Sequence, residues 1–166
     1  MEYKKITVVD ENDRVIGYEN YHDAVAKGSI RRASCVFLRD EEGNHLITKR
    51  SKYISKPQLF DQSSGGHVDE GETYLQTAHR ELKEELGLHA VSLTEVCSSF
   101  KAVGFFTSVY KATISHNTQI TFDEHEVESI HWMTKDEVDI LVSSTPELCN
   151  PNFVEMWQQL RAALIT

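Results

Sequence analysis

Short runs of alternating apolar and polar residues fill the first third of the chain, and a helical period takes over near residue 74. Ile6–Asp10 and Arg14–Tyr18 are β-rich and flank Glu11-Asn12-Asp13, a pattern that predicts a hairpin. An alanine-containing polar stretch from about Asn20 to Lys27 predicts a short helix ahead of Gly28. A second hairpin is expected from Ala33–Leu38 and His45–Lys49 around the turn Asp40-Glu41-Glu42-Gly43-Asn44. Thr73-Tyr74-Leu75-Gln76 has capping-box spacing, in which Thr and Gln satisfy each other's neighbouring backbone donors. The helix it opens should stop at Gly87, a natural left-handed C-terminal residue. Strands are expected at Ala90–Phe100, Phe105–Ile114 and Ser129–Met133. Thr134-Lys135-Asp136-Glu137 is another capping box, opening a helix to about Val142. Asn150-Pro151 places a cap and an N1 proline before a last helix, Asn152–Leu164. Mixed strands with helices between and after them give an α/β or α+β sandwich.

No repeat, low-complexity tract or linker interrupts this pattern, so residues 1–166 read as one domain. With 40% hydrophobic and 26% charged residues the chain can bury a core without disulfides or a structural metal. A formal charge of −9 argues against a bare polyanion-binding surface, and so against a nucleic acid polymer as partner. A small phosphorylated ligand needs only a local basic patch or a bound cation. No apolar run reaches the roughly 18 residues of a membrane span. Met1-Glu2-Tyr3-Lys4-Lys5 leads straight into Ile6 without an apolar signal core. Cys35, Cys97 and Cys149 are odd in number and far apart, which favours reduced thiols and a cytoplasmic location.

The chemistry is concentrated between Gly65 and Leu88. At about 100° per residue, Glu81, Glu84 and Glu85 fall within roughly a 100° arc of the expected helix. Leu75, Ala78, Leu82 and Leu86 occupy a neighbouring arc, so one stripe can pack on a sheet while three carboxylates point together along its margin. Like charges at i, i+3 and i+4 repel unless something positive sits among them. Converging hard oxygen ligands suit Mg²⁺ or Mn²⁺. Arg80 flanks the arc and can orient a carboxylate through a bidentate pair. Taken alone, the same face could be a solvated acidic surface; the glycine loop before it shifts the balance.

Gly66, five residues, Glu72, seven residues, then Arg80-Glu81-Leu82-x-Glu84-Glu85-x-Gly87-Leu88 resembles a complete Nudix box over 66–88. The chance of such a match is on the order of one in a billion per starting position. The resemblance implies a loop–helix–loop on a mixed sheet in an α/β/α sandwich. It also implies divalent-metal-dependent hydrolysis of a diphosphate linkage in a nucleoside diphosphate derivative or similar small metabolite. Carried over, Glu81, Glu84 and Glu85 are the expected metal ligands, and backbone carbonyls of Gly65 or Gly66 complete the sphere. Glu72 and Arg80 support the loop and helix. Bound Mg²⁺, with Mn²⁺ as a substitute, would lower the pKa of a coordinated water from which a carboxylate takes a proton.

A second acidic cluster, Phe122-Asp123-Glu124-His125-Glu126-Val127, supplies further candidates for that base. Glu124 and Glu126 would face the same side in an extended segment, with Glu126 preferred. His67, and the basic residues Arg50, Lys52 and Lys56 after the second hairpin, are candidates to touch substrate phosphates. Phe100, Phe105, Phe106 and Trp132 are candidates to stack a base, although aromatics at strand positions are core more often than not.

The hairpin extension over residues 1–30, the Gly66-His67 pair and the Glu124-x-Glu126-Val127 spacing are similar to isopentenyl-diphosphate isomerases. In those enzymes a cysteine stands directly before the Gly-His pair; here that position is Gly65. The isomerases' histidine ligand ahead of the core strand is replaced by Arg31 or Arg32, and they lack the intact Arg-Glu-x-x-Glu-Glu present here. Isomerase chemistry is therefore the disfavoured alternative. A non-catalytic ligand-sensing Nudix domain is a further alternative, against which the intact box carboxylates argue. Monomer and homodimer both remain open.

Overall fold

The computed structural model describes residues 4–166. Among them, nine strands form one mixed sheet. The predicted first hairpin is β1 (Lys5–Val9) and β2 (Val15–Asn20), followed by α1 (Tyr21–Lys27), which stops at Gly28 with φ 70°. β3 (Ile30–Arg39) is the organising strand. Along one edge it pairs in parallel with β8 (Phe105–Thr113), from Arg31 through Arg39, and β7 (Thr94–Ala102) adds antiparallel to β8. Along its other edge three partners follow in turn: β1 at Ile30 and Arg31, β6 (Ser64–His67) at Ala33–Val36, and β4 (His45–Arg50) at Arg39 alone. β4 pairs instead with β5 (Phe60–Asp61) and β9 (Val127–Met133).

The expected second hairpin is thus corrected. Its turn is where the sequence puts it, because the Asp40 carboxylate accepts from the backbone N–H of Glu42 (3.0 Å) and of Asn44 (2.8 Å). The strands separate at once, since β6 takes the edge of β3 that β4 would have used. The Gly65-Gly66 segment, expected as loop, is this strand β6, with Cys35 opposite Gly65 and Ser34 opposite Gly66.

Successive residues of β3 point to opposite faces. Val36 and Leu38 pack with Leu46, Tyr110 and the inward stripe of α2 (Tyr74–Leu86), made of Ala78, Leu82 and Leu86. Leu82 and Leu86 are at most 1% exposed, and burying each contributes about 1.5–3 kcal/mol. Leu75, expected in that stripe, is exposed. Its place in the first turn is taken by Tyr74, whose hydroxyl donates to the Asp13 carboxylate (2.9 Å) and whose ring lies under Arg32 (4.9 Å). Cys35 and Phe37 face the other way, into a core with Val138 and Val142 of α3 (Lys135–Ser144) and Phe153, Met156 and Trp157 of α4 (Pro151–Leu164). A single 3₁₀ turn, Pro146–Leu148, joins these helices. The result is an α/β/α sandwich. No helix among the described residues is long and apolar enough to cross a membrane.

Candidate active site

The capping box at Thr73 and Gln76 starts α2 where the sequence predicts, and Gly87 ends it at φ 67°. From this helix Glu81 and Glu85 reach β6, and the two glycines there permit the approach. A Cβ on Gly66 would fall on the Glu81 carboxylate; one on Gly65 would meet the Ser34 carbonyl oxygen at 2.8 Å and Cys35 Sγ at 3.1 Å. The Gly65 N–H donates to Glu85 Oε2 at 3.0 Å.

Burial pushes the Glu85 carboxyl up to about 8, with the neighbouring charges of Glu81 and Glu126 adding to the rise. Burial likewise pushes Glu81 up to about 7, although Arg80 works against it. Arg80 donates to Glu72 Oε1 (2.9 Å), Glu81 Oε1 (2.6 Å), Glu84 Oε2 (3.0 Å) and the His67 carbonyl (3.0 Å). Burial opposes the guanidinium charge, but Glu72, Glu81 and Asp69 outweigh it and raise its pKa. Glu72 also accepts from the Thr77 hydroxyl at 2.7 Å and from the Asp69 N–H at 3.3 Å, fixing the turn before α2. Glu72 and Arg80 thus form one network that ties β6, the turn and the helix together.

The second acidic cluster departs from the expected extended segment. The Asp123 carbonyl accepts from the N–H of Glu126 (2.9 Å) and of Val127 (2.8 Å), and its carboxylate accepts from His125 N–H (2.9 Å), so 124–126 wind into a turn. The two glutamates therefore separate: Glu126 lines the cleft and Glu124 does not. This segment is docked on the end of α2, where Thr121 N–H donates to the Leu86 carbonyl (3.1 Å) and Asp123 N–H to the Glu85 carbonyl (3.0 Å). On its other side, Ser51 N–H donates to the Glu126 carbonyl at 3.0 Å, and the Ser51 hydroxyl donates to the His125 carbonyl.

These groups open onto a cleft of about 1020 Å³ whose lining also includes Arg50 and Lys56. Arg50 Nη1 pairs with the buried Asp61 at 2.9 Å and its other nitrogens donate to the Ser55 carbonyl (3.0 and 2.8 Å). Lys56 Nζ donates to Asn150 Oδ1 at 3.1 Å, and Asn150 Nδ2 donates to Asp61 at 2.8 Å. Burial lowers the Lys56 pKa and raises that of Asp61, Arg50 opposing the latter. Lys52 lies over the Tyr53 ring at 5.1 Å and does not line the cleft. His67 is in the lining between Tyr21 and Phe105, at ring-centroid distances of 5.3 and 5.5 Å; burial pushes its pKa down to about 4, so it is neutral near pH 7. Of the four aromatic candidates only Phe105 lines the cleft; Phe100 and Phe106 are buried and Trp132 packs against the α2 core. Asp61, Asn150, Arg31, Tyr21 and Cys35 are lining residues that sequence patterns missed. They come from three elements and a helix cap, and only Arg31 and Cys35 share a strand.

The donor set fits a hard divalent cation. Glu81 and Glu85 are neighbouring half-buried carboxylates, and Glu85 has no cationic partner among the described residues. As placed, no three His, Cys, Asp or Glu side chains among the described residues surround one point closely enough to hold an ion. Arg80 draws Glu81 and Glu84 to itself, so both would turn from the guanidinium to the ion.

Together, this sandwich and its carboxylate-bearing cleft place the chain in the class of Nudix-fold proteins. The chain belongs to the Nudix family: the family model for the NUDIX domain matches residues 29–151. The chain is similar to an uncharacterized Nudix hydrolase of Streptomyces coelicolor, 38% identical over 96 residues, 57% of this chain and 53% of that protein. It therefore spans about half the length of that relative. It is also similar to an isopentenyl-diphosphate Δ-isomerase of Photorhabdus laumondii, 28% identical over 174 residues covering 93% of this chain and 97% of that protein. The crystal structure of a Deinococcus radiodurans protein superposes with a TM-score of 0.82 at 26% identity, covering 94% of this chain and 98% of the other.

Proposed function

We propose that the protein hydrolyses a diphosphate linkage in a nucleoside diphosphate derivative or similar small phosphorylated metabolite, with Mg²⁺ or Mn²⁺ held at the margin of α2. The observation that carries this reading is the pair of half-buried carboxylates, Glu81 and Glu85, in one cleft with the cations Arg50 and Lys56. Glu81, Glu84 and Glu85, with main-chain carbonyls of Gly65 or Gly66, are the proposed ion ligands. When bound there, a divalent ion supplies charge neutralisation for phosphate oxygens and lowers the pKa of a water. Glu126, whose charge acts on Glu85, is the proposed base that takes the proton as water attacks phosphorus. Arg50 and Lys56 orient the phosphates, and neutral His67 presents a ring nitrogen to the substrate. Glu72 and Arg80 hold the α2 margin against β6. Glu124 and Lys52, outside the cleft, have no part in this reading.

The test measures phosphate and nucleotide release from a panel of diphosphate compounds, with Mg²⁺ and then Mn²⁺, for the wild type beside Glu85→Gln. Turnover in the variant should fall by about a hundredfold or more with the fold kept. An unaffected rate would overturn the site. The isomerase reading has one observation in its favour: Cys35 Sγ stands against Gly65 from the neighbouring strand. Burial holds that thiol well above its ordinary pKa, which keeps it protonated. Isopentenyl diphosphate belongs on the panel, and appearance of its isomer without phosphate release would replace hydrolysis by carbon chemistry.

A further inference from the structure

Arg31 carries a charge that no carboxylate among the described residues answers. Arg32, Arg50, Arg80 and Arg161 each hold a carboxylate, whereas no ion pair among the described residues involves Arg31. Its guanidinium lies over the Phe105 ring at 4.3 Å, and its buried Nε has no hydrogen-bond partner among the described residues. Burial works against its charge. The Nε2 atom of His67, whose ring packs on the same Phe105 at 5.5 Å, is also buried and without a partner. In a chain of formal charge −9, with acidic residues outnumbering basic ones 26 to 17, an unpaired, half-buried guanidinium is costly and needs a counter-charge.

Its position says which part of a ligand supplies that charge. Arg31, Ala33 and Cys35 share one face of β3, and all three line the cleft. Cys35 pairs with Gly65, whose N–H holds Glu85. Arg31 is four residues further along the strand, about 13 Å away. The guanidinium is turned onto Phe105, the residue opposite Arg31 in β8, so it stays at its own end of the strand and faces groups carried outside the scissile linkage. The lining around it is aromatic, from Phe105 and Tyr21, which suits a sugar or ring bearing the charge.

We infer that Arg31, with His67, forms a subsite for a second anion of the substrate, a phosphate monoester or a carboxylate borne beyond the diphosphate. This deepens the hydrolase reading above and rests on it for the word substrate. It selects diphosphates with a further anionic group over those that end in a neutral sugar or base. An anion accepting from the guanidinium makes charge-assisted bonds; a neutral hydroxyl accepts from Nε but leaves the charge uncompensated.

Matched probes isolate the extra anion. NADPH and NADH differ by one phosphate monoester, and UDP-glucuronate and UDP-glucose by one carboxylate. Steady-state kinetics with Mg²⁺ on wild type, Arg31→Gln and Arg31→Lys should show the anion-bearing member of at least one pair preferred in kcat/KM by about tenfold, through KM. Arg31→Gln should bring that ratio towards one and Arg31→Lys should keep most of it. Which pair responds distinguishes phosphate from carboxylate. Equilibrium binding of adenosine 2′,5′-bisphosphate against AMP, neither of which has an anhydride to cut, reads the phosphate arm without turnover. Ratios near one for both pairs in the wild type, or an Arg31→Gln variant that weakens both members of a pair equally, would overturn the subsite. Absence of hydrolysis together with an Arg31-dependent binding preference would instead overturn the hydrolase reading and leave the anion subsite standing.

Discussion

Gly65 and Gly66 are neighbours in β6, yet a methyl group has a different cost at each. At Gly65 the added carbon meets the Ser34 carbonyl oxygen at 2.8 Å, which is sheet backbone and cannot move aside without breaking the β3–β6 register. Gly65→Ala should therefore lower stability by about 1–3 kcal/mol, as overpacking does, read as a shift in the denaturant midpoint. At Gly66 the obstacle is the end of a glutamate side chain, which can swing away. Gly66→Ala should leave the midpoint close to wild type while the displaced Glu81 carboxylate lowers kcat by up to about a hundredfold. Stability and turnover measured side by side separate the two. Equal losses of stability in both variants would contradict the assignment of Glu81 as the mobile neighbour.

At the scale of elements, α2 is built by its ends. Its N-terminus was legible because a capping box is a local code: Thr73 and Gln76 are three apart and satisfy each other's backbone. The same holds for Thr134 with Glu137 before α3, and for Asn150 with Pro151 before α4. Its C-terminus does more than stop. The carbonyls of Glu85 and Leu86, which lie in the last turn, accept from Asp123 and Thr121, and this docking places Glu126 within reach of Glu85. Gly87 has φ 67°, and a Cβ there would meet the Thr121 carbonyl oxygen at 2.9 Å. Gly87→Ala should cost about 1–2 kcal/mol for the left-handed backbone alone. It should also reduce kcat, because the segment carrying Glu126 is pushed off the helix; an unchanged kcat would detach Glu126 from the chemistry. What the sequence hid is non-local. β5 has only two residues and β6 is built from Ser, Gly and His, which carry no strand preference, so only their partners make them strands. β3 and β4 looked like a hairpin because the turn is local, while the competition of β6 for the β3 edge is not. The carboxylates of the cleft were visible because one helix carries three of them. Asp61 and Arg31 were not, since their meaning depends on partners, or their lack, that only the fold supplies.

For the whole molecule, these carboxylates make stability depend on pH with an unusual sign. Glu85 and Glu81 ionise in the fold near 8 and 7, above the ordinary 4.5 that they have in the unfolded chain. From pH 4.5 upwards the unfolded chain has given up protons that the folded one keeps, so stability falls as pH rises until both are ionised in the fold. His67 and His45, both pushed by burial down to about 4, act oppositely. They must charge on unfolding in acid, so their contribution is complete above pH 6.5 and is lost towards pH 4. Between pH 6.5 and 8 the contribution of His67 and His45 is complete, and the proton that Glu85 keeps in the fold removes up to about 2 kcal/mol. In chelator the thermal midpoint should therefore decline across this interval. A divalent ion needs the ionised carboxylates, so its affinity rises with pH and the stabilisation by excess Mg²⁺ should grow over the same range. Glu85→Gln removes the buried charge and a ligand together. It should flatten the decline in chelator, raise the midpoint near pH 8, and shrink the Mg²⁺ increment while abolishing turnover. A variant that is inactive yet more stable than wild type without metal would show that the charge at position 85 is kept for the ion rather than for the fold. A variant less stable at every pH would mean that Glu85 serves packing, and the metal site would have to be sought elsewhere in the cleft.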